Sequence, residues 1–322
     1  MSSTEQLRIH LLGGFRVLVD GHVVGDCGWR HRKAVALIKL LALEPGHRLH
    51  REALMDVLWP ELDLEAQANN LAVVLYHARR KLDAAGAQQR SFLTREGDMV
   101  ALALADAVWV DVDAFEYAVT RAWRSDDLSL YYRAVDLYTG DLLPEDPFDE
   151  WLDGSRLRLR NSYQALLARL AQLEEVQGER DACMLTLQRL IGIDPTHEEA
   201  HAALMRLYAR TGQRSQAIAQ YALLERALAR DLDVAPGEHV RELCDAIRAG
   251  NLPPDAQRQP DASKHRAVDP SPATELEHEV EHAVARLLSV RTRSDQAAWC
   301  SNRHVERRGR YAGRNGRRPP AA

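Results

Sequence analysis

The 322 residues carry 46% hydrophobic and 28% charged side chains, a balance that leaves room for two globular domains and a tail and excludes a single small core. No run approaches the roughly 18 apolar residues of a membrane-spanning helix. The net charge of -5 is unevenly placed, with 13 basic against 12 acidic side chains over residues 1–105, 16 against 26 over 106–250 and 13 against 9 beyond, so a phosphate backbone is repelled by the middle and any nucleic-acid contact belongs to the ends.

Residues 1–8 lack the basic start and apolar middle of a signal peptide, and a cytoplasmic location is expected. Leu7, Ile9 and Leu11 alternate with polar neighbours, Gly13 and Gly14 break the run, and Phe15, Val17 and Val19 resume it before the turn pair Asp20-Gly21. This predicts an N-terminal antiparallel sheet. A strongly apolar helix is predicted over 32–43, ended by Pro45-Gly46. A second spans 51–59, stopped by Pro60, which cannot donate the next helical hydrogen bond. The third begins at Asp63, an N-cap, has Glu65 at the positive end of its dipole, and closes before Gly86 about twenty residues on.

Leu71, Val74, Leu75, Ala78 and Leu82 recur at the 3.6-residue period on one stripe of this third helix and should be buried. Asn69, Val73, Tyr76, His77 and Arg80 occupy the opposite stripe, flanked by Arg79 and Lys81, a set of amide, aromatic and cationic groups suited to base edges and phosphates in a major groove. An ordinary solvated helix face has a similar composition. Two strand-like runs, 92–94 and 99–102, then flank Arg95-Glu96-Gly97-Asp98, a hairpin with a basic residue at its tip. Helices followed by a hairpin make a winged helix-turn-helix.

The first hundred residues, with a sheet ahead of the helices, resemble the winged-helix DNA-binding domains of the OmpR type. Further signals run through Gly140-Asp141-Leu142-Leu143-Pro144, Glu150-Trp151-Leu152, Arg156 and Asp231-Leu232-Asp233-Val234-Ala235-Pro236. Together the two halves resemble the SARP family of bacterial regulators, over roughly residues 5–250. The resemblance implies a transcriptional activator that binds direct repeats in double-stranded promoter DNA as side-by-side protomers, a homodimer on DNA, and recruits RNA polymerase holoenzyme. It also implies that the third helix enters the major groove, with Tyr76 and His77 on base edges, Arg79, Arg80 and Lys81 on phosphates or guanine, and Arg95 reaching the adjacent backbone or minor groove. Tyr76 and His77 stand where OmpR-type proteins often place cationic or polar base-reading residues.

Gly178 and Gly212 are 34 residues apart, and the same offset pairs Leu170 with Leu204, Leu173 with Leu207, Arg180 with Arg214, Cys183 with Ala217, Leu187 with Tyr221 and Leu190 with Leu224. This is the period of tetratricopeptide repeats, helix pairs that bury their apolar faces only by stacking. Helices predicted over 114–123, 129–138, 150–161 and 238–248 extend the stack. Cys183, at a small position, is read as a packing residue. The fold is therefore expected to be mainly α: a winged helix-turn-helix over 1–105, an all-α tetratricopeptide-like activator domain over 106–250, then a Pro-rich linker, a short amphipathic helix through Leu276, Val280, Val284 and Leu287, and a disordered basic tail over 251–322.

His197-Glu198-Glu199-Ala200-His201 matches H-E-x-x-H, the zinc-protease pattern of two imidazoles one helical turn apart with an activating Glu. Thr196 and Glu199 provide another explanation, a capping box opening a repeat helix. The four cysteines are scattered and suit neither a disulfide framework nor a thiolate zinc site. The chain has no phosphate-binding loop, nucleophile elbow or dinucleotide fingerprint. No catalytic residue, cofactor or metal is expected. Two other readings stand beside the DNA-binding regulator: an interaction scaffold whose winged helix serves dimerisation, and, more remotely, a zinc metalloprotease.

Overall fold

The computed structural model describes residues 7–24, 32–84, 91–102 and 108–251. The linker, short helix and tail expected beyond residue 251 lie outside these, as does Gly86. The described chain is mainly α and forms two compact units. One takes residues 7–9 and 16–109, and the other takes His10–Phe15 and the chain from Val110 onward. The expected division at residue 105 thus left out the second unit's share of the N-terminal segment.

In the first unit, β1 (Leu7–His10), β2 (Arg16–Val19), β3 (His22–Val23) and β7 (Val108–Val110) form a sheet of order β3-β2-β1-β7. Leu7, Ile9, Val17 and Val19 are buried, as their alternation predicts, and Asp20 and Gly21 turn the chain between β2 and β3 with positive φ. Helices α1 (Arg32–Leu43), α2 (Arg51–Leu58) and α3 (Leu64–Asp83) pack on one another. A second sheet of order β4-β6-β5 holds the hairpin β5 (Leu93–Glu96) and β6 (Met99–Leu102), with β4 (Arg48–His50) antiparallel to β6. Three-residue β4 and β7 escape periodicity because so short a run shows no alternation.

The second unit continues with α4 (Asp111–Ala122), α5 (Leu128–Leu137), α6 (Asp153–Gln177), α7 (Arg180–Ile193), α8 (Glu198–Arg210), α9 (Arg214–Asp231) and α10 (Glu238–Ala249). Helices α6/α7 and α8/α9 are the two tetratricopeptide-like pairs. Gly178 and Gly212 close the first helix of each pair with φ of 80° and 76°, a left-handed conformation that glycine adopts without a Cβ penalty. Leu170 and Leu204, Leu173 and Leu207, Cys183 and Ala217, and Leu190 and Leu224 are buried at matching positions. The Cys183 thiol lies 3.3 Å from the Ala171 carbonyl, and burial pushes its pKa up to about 12. Met205, Leu228, Val240 and Ile247 join α8, α9 and α10 in one core, so α10 covers the end of the stack.

The signature around Gly140 acquires a physical role here. The Leu143 N–H donates to the Leu11 carbonyl at 2.9 Å, Gly13 N–H to Asp141 at 2.9 Å, and Thr139 Oγ1 to Leu12 at 2.7 Å. A Cβ on Gly140 would sit 2.9 Å from Gly13 Cα, too close for any side chain. The Arg156 guanidinium donates to the carbonyls of Leu142, Leu143 and Asp146. Buried Asp111 accepts the N–H groups of Leu11 at 2.9 Å and Leu12 at 3.0 Å, and burial raises its pKa to about 6. Residues 10–15 are thereby an integral strand-like piece of the helical unit.

Candidate nucleic-acid interface

Helix α3 is started by Asp63, whose carboxylate accepts the Ala66 N–H at 2.8 Å. Its orientation is set by two side chains that sequence patterning did not single out. Gln67, buried, donates its amide to the Trp59 carbonyl at 2.7 Å, and Lys33 donates to the Leu58 carbonyl at 2.6 Å. Both satisfy carbonyls at the end of α2 and lock the turn between α2 and α3. A glutamine in the buried stripe is the only signal that could have revealed the first. For Lys33, at the start of α1, nothing local would have.

Leu71, Val74, Leu75, Ala78 and Leu82 are buried, as the 3.6-residue period requires. Asn69, Val73, Tyr76 and Arg80 are exposed on the opposite side, with Val73 54% and Tyr76 58% accessible. His77 and Lys81 are half-buried, and the His77 ring meets Tyr76 edge-on with centroids 5.4 Å apart. Arg79 turns away from this stripe. Its Nε donates to the Leu93 carbonyl of β5 at 2.8 Å, and its cation pulls the Asp83 carboxyl downward while burial, the larger effect, pushes that carboxyl above its usual value. Arg79 therefore braces the helix against the hairpin.

The hairpin closes through Gly97 and Asp98, with Gly97 at φ 60° and Glu96 paired to Met99. Arg95 is exposed beside this tip and donates its Nε to the Gly97 carbonyl at 3.0 Å. The tip is tied to α2: the Arg51 N–H donates to the Asp98 carbonyl at 2.8 Å, and its guanidinium lies 3.5 Å from the Asp98 carboxylate. From Asn69 to Arg80 the exposed helix face holds no carboxylate and has cations at its C-terminal end and on the adjoining hairpin. The exposed acidic groups nearby include Glu65, one turn before Asn69, and Glu96 and Asp98 at the hairpin tip.

The H-E-x-x-H residues do other work. His197 is the N-cap of α8, its Nδ1 accepting the Ala200 N–H at 3.3 Å. This corrects the expected capping box, because Asp194 takes both the N–H and the hydroxyl of Thr196, at 3.0 and 2.7 Å. His201 is 1% exposed. With the proton on Nε2 it donates to the Pro195 carbonyl at 3.2 Å, and Nδ1 accepts the Gln220 amide at 2.8 Å. Burial holds its pKa below the ordinary value. Glu198 accepts the Gly237 N–H at 2.7 Å and Glu199 lies 3.6 Å from His239. Among the described residues, no three His, Cys, Asp or Glu side chains are grouped to hold a metal ion, and no helix is long and apolar enough to cross a membrane.

A winged helix-turn-helix joined to tetratricopeptide-like helices is the architecture of a class of transcription regulators. Residues 29–98 match the family described as transcriptional regulatory protein, C terminal, and residues 110–248 match the bacterial transcriptional activator domain. The regulatory protein AfsR of Streptomyces coelicolor is 28% identical over 246 residues, which are 74% of this chain and 24% of AfsR. DnrI of Streptomyces peucetius is 27% identical over 229 residues, 67% of this chain and 84% of DnrI. The chain thus spans about a quarter of AfsR and most of DnrI. Mycobacterium tuberculosis EmbR, solved with a low-affinity phosphopeptide, shares the fold with a TM-score of 0.60 at 18% identity, over 89% of this chain and 71% of that one. The two matched domains, in this order, together with AfsR and DnrI, support a SARP-type transcriptional regulator.

Proposed function

We propose that the protein binds promoter direct repeats in double-stranded DNA by laying the exposed stripe of α3 in the major groove, and that it activates transcription by recruiting RNA polymerase holoenzyme. The observation that carries this reading is the exposed stripe of α3 from Asn69 to Arg80, which holds no carboxylate and ends in Arg80 and Lys81 beside the hairpin's Arg95, because cations bordering a helix face suit the phosphates that flank a groove. Glu65, exposed one turn before Asn69, marks the acidic edge of that face. Asn69, Val73, Tyr76 and His77 face the bases. Arg80 and Lys81 contact phosphate or guanine, Arg95 reaches the backbone beside the groove, and Arg79 serves chiefly by fixing the hairpin to the helix. Protomers sit side by side on successive repeats, and the acidic helical unit, repelled by DNA, is left to meet the polymerase in the cytoplasm.

Gel-shift titration of the full chain against genomic fragments tests the binding, and run-off transcription from a bound promoter with purified holoenzyme tests the recruitment. Salt-sensitive, sequence-selective binding with increased transcript is expected. Absence of any selective shift would remove the DNA reading, whereas binding without increased transcript would remove recruitment alone.

A further inference from the structure

The exposed positions of α3 between Asn69 and Arg80 are Asn69, Ala72, Val73, Tyr76 and Arg80, so the middle of the stripe is apolar and its two ends are polar. Val73 and Tyr76 are each more than half accessible. Single exposed apolar side chains are unremarkable, but neighbouring ones on the face that meets a ligand are groups the ligand covers. From Val73 to Tyr76 the helix rises about 4.5 Å, and from Asn69 to Arg80 about 16 Å. Base pairs step by roughly 3.4 Å along a strand, so the patch spans neighbouring steps and the whole stripe about five.

We infer that Val73 and Tyr76 read thymine methyl groups, which makes the preferred target a repeat with one or two thymines at its centre. The inference rests on the DNA-binding reading and adds the base chemistry it selects. On the major-groove edge of the base pairs the C5-methyl of thymine is the one apolar group, and each remaining edge presents donors or acceptors that Val73 cannot pair. Asn69 at one end has the donor and acceptor pair that matches adenine, and Arg80 at the other has the fork that matches guanine O6 and N7. From Asn69 to Arg80 the stripe carries no carboxylate to accept from cytosine N4, and Glu65, the nearest exposed one on this face, stands one turn before Asn69, outside the Val73–Tyr76 patch. Arg80 and Lys81 on the same helix and Arg95 on the hairpin select a polyanion as the occupant. They would repel one another across a second copy of this face.

The test uses the full chain and synthetic duplexes. The bound sequence is selected from a random duplex pool, and each thymine is then replaced singly by deoxyuridine, which removes the methyl and leaves the pairing intact. At one or two central positions the replacement is expected to weaken binding about fourfold, the equivalent of about 0.8 kcal/mol for one buried methyl. Val73→Ala should bind thymine and uracil duplexes within twofold of each other at one of those positions. Tyr76→Phe should keep the discrimination and Tyr76→Ser lose it. Both sites are exposed, so unchanged thermal unfolding verifies that the variants are folded. Equal affinity for thymine and uracil duplexes at every position of a selectively bound sequence overturns the inference and leaves the DNA reading intact. Failure to select any duplex overturns the DNA reading itself, and Val73-dependent self-association without DNA in sedimentation velocity assigns the patch to a second copy and overturns the inference.

Discussion

Helices α3 and α8 both carry acidic residues in the first turn, His77 or His201 further along, and a polar motif conspicuous in the sequence. In α3 the apolar stripe is wide enough to bury the helix by itself, so Asn69, Val73, Tyr76 and Arg80 are left to solvent. In α8 the stack takes the helix from several sides, and the second imidazole of the motif is consumed by packing between Pro195 and Gln220. The two helices teach that a residue pattern becomes a candidate site only when the neighbouring elements leave its face uncovered. His201 is spent on stability, whereas the outward stripe of α3 contributes almost nothing to it.

The contrast can be broken by substitution, most forcefully at His201. His201→Ala opens a cavity and strands the Gln220 amide and the Pro195 carbonyl, and should destabilise the helical unit by about 3 kcal/mol in urea unfolding with duplex affinity unchanged. The double variant Tyr76→Ala/His77→Ala should do the reverse. Stability should hold within about 0.5 kcal/mol, while discrimination at a base position falls by about 1–3 kcal/mol in competition binding.

Arg79 and Arg80 sharpen the comparison within one helix. Arg79→Ala removes the bond to Leu93 and should cost the winged unit about 1–2 kcal/mol by thermal or urea unfolding. Arg80→Ala should leave unfolding alone; where Arg80 holds a phosphate it should weaken all duplexes alike and reduce the slope of log affinity against log salt by about one, and where it reads guanine it should instead relax preference at one position.

The smallest effect is a pH slope. Because burial lowers the pKa of His201 from about 6.5, the unfolded chain binds more protons just below that value. This group's contribution therefore falls as pH drops from about 6.5 through the folded-state value, and the slope then ends. Asp111 acts in the opposite sense: its pKa is raised from 3.8 to about 6, so its contribution falls as pH rises between those values. Comparing wild type with His201→Gln isolates the histidine slope, which the variant should lack.

Local physics made much of this legible. The bounds of α1 and the start of α3 follow from apolar period, proline and the Asp63 cap, and the 34-residue offset located both repeat glycines. The outward stripe of α3 was visible for the same reason, since one helical period assigns both faces at once. The bond from Arg79, a residue expected on phosphates or guanine, to Leu93 was not legible, because it links residues whose proximity depends on the hairpin folding back. Lys33 and Gln67, which hold the turn before α3, are invisible to periodicity, as their partners are backbone carbonyls at the end of α2.

The sequence by itself determined the bounds of α1, the start of α3, the hairpin, the repeat period and the uneven charge, because each is a matter of residue spacing or composition along the chain and needs no knowledge of what packs against it. Only the tertiary structure decided which polar motif is buried and which is presented, that residues 10–15 are bound to the loop around Gly140, and that Arg79 is a brace. Those outcomes depend on which carbonyls and which apolar faces arrive from far along the chain, and no local pattern encodes what will cover a surface.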